Sequence, residues 1–150
     1  MTTSRRIALG SDHAGVELKQ RIKETLRSKG IEVVDMGTEG SGSVDYPDFA
    51  KKVAAAVSTG EVPEGILVCG TGLGMSMTAN KHAGVRAAVA TTSFMAKMAR
   101  AHNNANILCL GARVISENEA RQIVGAWLSQ EYEGGRHDRR VEKINELDRK

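Results

Sequence analysis

The chain has 150 residues, 41% of them hydrophobic and 26% charged, which fits one domain that buries a core without disulfide or metal staples. Its net charge of +3 favours anionic partners. Nucleic acid is nevertheless a poor match, because aromatics make up only 3% and supply no stacking platform. The two cysteines, Cys69 and Cys109, stand far apart in apolar runs, so reduced thiols are expected rather than a disulfide framework.

The first six residues lead straight into an apolar run with no signal-like or membrane-spanning segment, so a cytoplasmic location is expected. Ile7–Gly10 reads as a strand ending in Ser11-Asp12-His13-Ala14-Gly15. Leu18, Ile22 and Leu26 recur every four residues among charges and predict a surface helix that stops near Gly30. Ile31–Val34 reads as the second strand, followed by a glycine-rich loop from Met36 to Ser43. Pro47 suits the first turn of a helix running through Val57.

Ile66-Leu67-Val68-Cys69 is continuously apolar, as expected of a strand covered on both faces. Val85–Ala90 and Ile107–Leu110 read as further strands, with a helix from about Ser93 to His102 between them. Ser116 and Glu119 form an S-x-x-E capping box before the stripe Ala120, Ile123, Val124, Trp127 and Leu128. The alternation predicts a single α/β domain in three layers, an open parallel sheet with helices on both faces. The charged tail from His137 to Lys150 carries Val141, Ile144 and Leu147 on one stripe. So short a helix needs a surface to pack on, either its own domain or a partner subunit.

Ligands of open α/β sheets bind beyond the carboxyl ends of the strands. Three such ends carry polar residues: Asp12-His13, Cys69 with Gly70-Thr71-Gly72-Leu73-Gly74, and Gly111-Ala112-Arg113. The glycine loop lacks the third glycine of a dinucleotide fingerprint, since Met75 stands there, and lacks the Gly-Lys-Ser/Thr of a Walker loop. It can still aim several N–H groups at one point, and a thiolate at Cys69 would be stabilised by them. Between Gly65 and Ser116 there is no acid, whereas Lys81, Arg86, Lys97, Arg100 and Arg113 all fall there, which suits a phosphate-bearing ligand. Aldose–ketose isomerisation needs a base beside a carbonyl and donors for an enediolate. Cys69, Thr71 and the loop N–H groups could provide these, although Cys–His nucleophilic catalysis would use the same thiol. The four histidines match no zinc spacing, and no metal is expected. His102, closing a helix, could act as acid or base, while Arg136 and Arg140 lie one turn apart, as a phosphate grip would.

Together these stretches, with Asp45-Tyr46-Pro47, Ala79-Asn80-Lys81, His102-Asn103 and Tyr132-Glu133-Gly134-Gly135-Arg136-His137, resemble the type B ribose-5-phosphate isomerases and the related galactose-6-phosphate isomerase subunits. The resemblance implies a Rossmann-like fold and a homodimer or tetramer with active sites between subunits, without cofactor. It makes Cys69 the base, Thr71 the proton relay and Gly70, Gly72, Leu73 and Gly74 the enediolate cradle. It gives ring opening to His102 helped by Asp12, substrate contacts to Asn103 and Tyr46, and phosphate to His13, Arg113, Arg136 and Arg140. Relatives that use a glutamate base after the loop have it where Met75 stands. The substrate implied is ribose 5-phosphate; allose 6-phosphate, galactose 6-phosphate or a tetrose phosphate is the alternative, and a non-catalytic sugar-phosphate binder the more distant one.

Overall fold

The computed structural model describes residues 5–148. Five strands, β1 (Arg6–Ser11), β2 (Glu32–Asp35), β3 (Glu64–Cys69), β4 (Ala87–Val89) and β5 (Ile107–Gly111), alternate with helices. The helices are α1 (Val16–Ser28), α2 (Tyr46–Thr59), α3 (Leu73–Ala79), α4 (Ser93–Asn103), α5 (Glu117–Ser129) and α6 (Arg136–Glu146), with a 3-10 turn at His13–Gly15. All strand pairs are parallel, in the order β2-β1-β3-β5-β4. This is the expected Rossmann-like three-layer arrangement.

The two-residue period of the strands sorts the core into two halves. Ile7, Leu9, Ile66, Val68, Leu108 and Leu110 face α1, α4 and α5, where Trp127 is fully buried. Ala8, Leu67, Cys69, Ile107 and Cys109 face α2 and α3. On that side α2 presses close to the sheet because Gly65 leaves room: a Cβ there would stand 2.5 Å from Val53 Cγ1. The alternation therefore turns Cys69 towards α3, whose amino end follows it.

Two buried ion-pair groups tie the layers together. Lys19 Nζ and Lys23 Nζ each reach the Asp35 carboxylate at 2.7 Å, and the Gly37 N–H donates to it at 2.9 Å. Glu64 pairs with Arg5 and Arg100, and the Arg100 guanidinium stacks 4.0 Å from the Trp127 ring centre. The Ser116–Glu119 capping box forms as expected.

Three expectations needed adjustment. The fourth strand is only three residues long, because Arg86 and the backbone before it turn to bond Asn104 and Asn106. The tail stripe is only partly used: Val141 is buried against its own domain, whereas Ile144 and Leu147 stay exposed; Arg149 and Lys150 lie outside the described residues. The basic residues of the acid-free segment do not converge. Arg100 is held by Glu64 and Arg86 by Asn104, Gly84 and Asn145, whereas Arg113 reaches the glycine loop.

Candidate active site

Order along the sheet reverses between β1 and β3, and loops diverge there to leave a crevice at the carboxyl edge. Asp12 ends one of these strands and Cys69 the other, linked by the Asp12 N–H donating to the Val68 carbonyl at 3.2 Å. Asp12 is buried, and its Oδ1 accepts the N–H groups of Ala14 and Gly15 at 3.0 and 3.3 Å. That caps the 3-10 turn and fixes the carboxylate, leaving Oδ2 for other work. Next to it, His13 Nδ1 accepts the Val44 N–H at 3.1 Å. A neutral ring held so carries its proton on Nε2, pointing a donor outward.

At the end of β3 the Cys69 Sγ accepts the Gly72 N–H at 3.1 Å. Gly72 has φ +84°, and a Cβ on it would press on the Leu110 backbone at 3.1 Å, so only glycine fits. The Leu73 N–H turns back to Thr71 Oγ1 at 3.2 Å, leaving that hydroxyl at the surface. Two of the five loop N–H groups are thus committed. Those of Gly70, Thr71 and Gly74 have no hydrogen-bond partner among the described residues and remain for an anion. The Tyr46 ring lies directly on Gly74, where any Cβ would overlap it. Arg113 Nη1 stands 3.1 Å from where a Gly70 Cβ would be, and the Arg113 N–H donates to the Gly70 carbonyl at 3.0 Å. Asp12, His13, Tyr46, Cys69, Thr71, Gly70, Gly72, Leu73, Gly74 and Arg113 therefore share one end of the sheet.

His102, Asn103, Arg136 and Arg140 do not. α4 runs antiparallel to the strands and delivers His102 and Asn103 to the amino end of β5, about 13 Å of strand away from Gly111. α6 begins beside them: the Glu133 N–H donates to the Ala101 carbonyl at 3.0 Å, and the His137 ring stacks on His102 at 4.2 Å and 15°. Both Nε2 atoms lie 3.6 Å from Glu133 Oε1. Burial, the His102 ring and the neighbouring Arg136 push the His137 imidazole below its ordinary pKa. Arg136 and Arg140 are exposed and make no ion pair among the described residues. Within one chain, then, His102 cannot work with Asp12. The two groups lie at opposite ends of the sheet.

A groove of about 620 Å³ lies at the centre of neither group. It follows the β4 edge between Asn80, Arg86, Asn103 and the exposed Ile144 and Leu147 of the tail. Cys109 is fully buried, which pushes its thiol well above the ordinary range. Met75 is fully buried on the inner face of α3, so its side chain faces the core and not the loop. Sequence reasoning missed Glu133 and the His137 stack. Their one signal was the four-residue spacing of Glu133 and His137, one helical turn.

The chain matches the family model described as Ribose/Galactose Isomerase over residues 7–144. It is 48% identical over 146 residues to "Ribose-5-phosphate isomerase B" of Escherichia coli, covering 97% of this chain and 98% of that one. It is 45% identical over 139 residues to "D-erythrulose-4-phosphate isomerase" of Pectobacterium atrosepticum, covering 92% and 91%. Among solved structures, Mycoplasma genitalium ribose-5-phosphate isomerase B with bound ribulose-5-phosphate superposes with a TM-score of 0.95 at 43% identity, over 99% of each chain.

Proposed function

The chain belongs to the ribose/galactose isomerase family, and from that premise we propose that it interconverts ribose 5-phosphate and ribulose 5-phosphate through a cis-enediolate. The observation that carries the proposal is the contact of the Gly72 N–H with Cys69 Sγ at the tip of β3. The Cys69 thiol thus stands beside the N–H groups of Gly70, Thr71 and Gly74, which have no partner among the described residues.

In this reading Cys69 removes the proton from C2 of the open aldose. The free N–H groups hold the enediolate oxygens, and the exposed Thr71 hydroxyl passes a proton between them. Cys69 then returns its proton to C1. Tyr46 and Leu73 shape the wall, and His13 Nε2 and Arg113 bind the phosphate. The other half of the site comes from a second copy of the chain. A two-fold dimer would bring one subunit's amino end to the other's carboxyl end. His102 with Asp12 then opens the sugar ring, Asn103 contacts the substrate, and Arg136 and Arg140 close on the phosphate. What supports the dimer is the separation of the half-sites and the unpaired arginines. We also propose that the working form is a homodimer, or a tetramer built from such dimers, in the cytoplasm. The two unpaired cysteines fit a reducing compartment, and no helix of the described residues is long and apolar enough to cross a membrane.

Incubation with ribose 5-phosphate in heavy water should give ketose and solvent exchange at the transferred position. Full turnover by Cys69→Ala would remove the cysteine from the role of base. Because a relative of similar identity is named for a four-carbon substrate, kcat/KM should be compared across tetrose, pentose and hexose phosphates. A higher value for a tetrose or hexose phosphate would reassign the substrate and keep the chemistry.

A further inference from the structure

We infer that His102, Glu133 and His137 form a binding site for zinc or a similar transition ion, and that filling it stops the isomerase. The residues come from the end of α4, the connection before α6 and the first turn of α6. One ligand atom from each lies within 4.8 Å of the other two. The two His Nε2 to Glu133 Oε1 separations are 3.6 Å, and a tetrahedral zinc ion with bonds near 2.05 Å holds its ligand atoms about 3.4 Å apart.

A second observation points to a missing ligand. His137 is only 5% exposed, and its Nε2 is buried without a hydrogen-bond partner among the described residues. A buried polar atom without a partner is costly. The His137 Nε2 lies 3.6 Å from Glu133 Oε1, beyond hydrogen-bond reach. The stacked rings do not yet converge, but His102 is over a third exposed, and its χ2 torsion is soft enough to turn the lone pair inward. Glu133 is half exposed and free to follow. Two imidazoles and one carboxylate leave a fourth position for water.

Charge narrows the choice of ion. Arg136 and Arg140 lie close enough to act on His137, so only a metal that binds imidazole strongly overcomes their repulsion. Zinc, nickel and copper qualify, whereas magnesium and calcium prefer oxygen cages. The loss of activity rests on the ring-opening role given to His102 above, since coordination occupies its Nε2; the binding itself does not.

The test is calorimetric titration of the full chain with zinc chloride, with turnover measured in parallel and Glu133→Gln as reference. Glu133 is outside the proposed catalytic machinery, and Glu133→Ala serves if the amide variant misfolds. The expected result is one zinc per chain lost in Glu133→Gln, or weakened at least about tenfold, with inhibition weakened by the same factor and magnesium inert. Cobalt(II) separates this site from Cys69, because a thiolate ligand would add an intense near-ultraviolet band. Equal zinc binding by both chains, or a thiolate band accompanying inhibition, overturns the proposal. Binding that depends on Glu133 but leaves turnover untouched overturns the shut-off and the ring-opening role of His102, while the site itself stands.

Discussion

Replacing Gly72 with alanine should damage catalysis and stability together. The residue sits at φ +84°, and its absent Cβ would lie 3.1 Å from the Leu110 carbonyl carbon and 3.3 Å from that residue's N and O. An L-residue in the left-handed region costs about 1–2 kcal/mol, and the neighbour that must give way is the backbone of a central strand. Since β5 is paired on both sides, the loop has to move instead, carrying the Gly72 N–H away from Cys69. Stability should fall by about 2 kcal/mol, or about 4–8 °C in melting temperature for a chain of this size. A hydrogen bond to a charged group is worth about 1.5–3 kcal/mol, which at 1.36 kcal/mol per decade lowers kcat by about 10- to 150-fold. The assay is kcat on ribose 5-phosphate at 25 °C, with a melt followed by circular dichroism. A folded Gly72→Ala enzyme within threefold of the parent kcat would refute the role given to this N–H.

The buried thiol of Cys109 should resist alkylation in the native protein and react fully once urea unfolds it, as read by mass spectrometry; native labelling would contradict its burial. Burial alone would raise Asp35 and Glu64, but hydrogen bonds from Lys19 and Lys23 to the first, and pairing of the second with Arg5 and Arg100, hold both below their ordinary values. Carboxyls depressed in the folded state stabilise it above their unfolded pKa. Urea midpoints should therefore stay flat from pH 7 to about 5 and fall progressively below about pH 4.5; an unchanged midpoint at pH 3 would contradict this. Arg100→Met strips Glu64 of one partner and the Ala105 carbonyl of its 2.7 Å donor. With Arg5 still in place, the cost should be about 3 kcal/mol, seen as a melting point lower by about 6–12 °C.

Much of this was legible beforehand, because local signals and tertiary packing agree at the elements concerned. Ile66–Cys69 is apolar on both faces and is a central strand; Ser116 and Glu119 close a real capping box. The glycine loop could be read as an anion cradle, but not which donors were spent. That depends on Sγ and Oγ1 positions, which the Gly72 conformation sets. Charge composition misled more. Arg86 and Arg100 counted towards a phosphate-binding segment, yet both are consumed by structure, since Glu64 lies 36 residues from Arg100 and only the sheet brings them together. The tail was half legible for a similar reason. Val141 finds a surface on its own chain, whereas Ile144 and Leu147 border a groove that the single chain leaves open. The placement of His102 opposite Cys69 follows from the parallel topology, which sends each helix back to the amino edge.

That opposition makes one experiment the most direct test of the composite site. Cys69→Ser disables the carboxyl-end half and His102→Asn the amino-end half, so each variant alone should be nearly inactive, with losses of about 10²–10⁴-fold. Co-expressed in equal amounts, half of the dimers should be mixed, and each of those holds one intact site beside one doubly damaged site. Activity should then return to about one quarter of the parent's, as two-fold symmetry requires. If the mixed preparation stays as inactive as either variant while mixed dimers are shown to form, the site is not shared between subunits and the account is wrong.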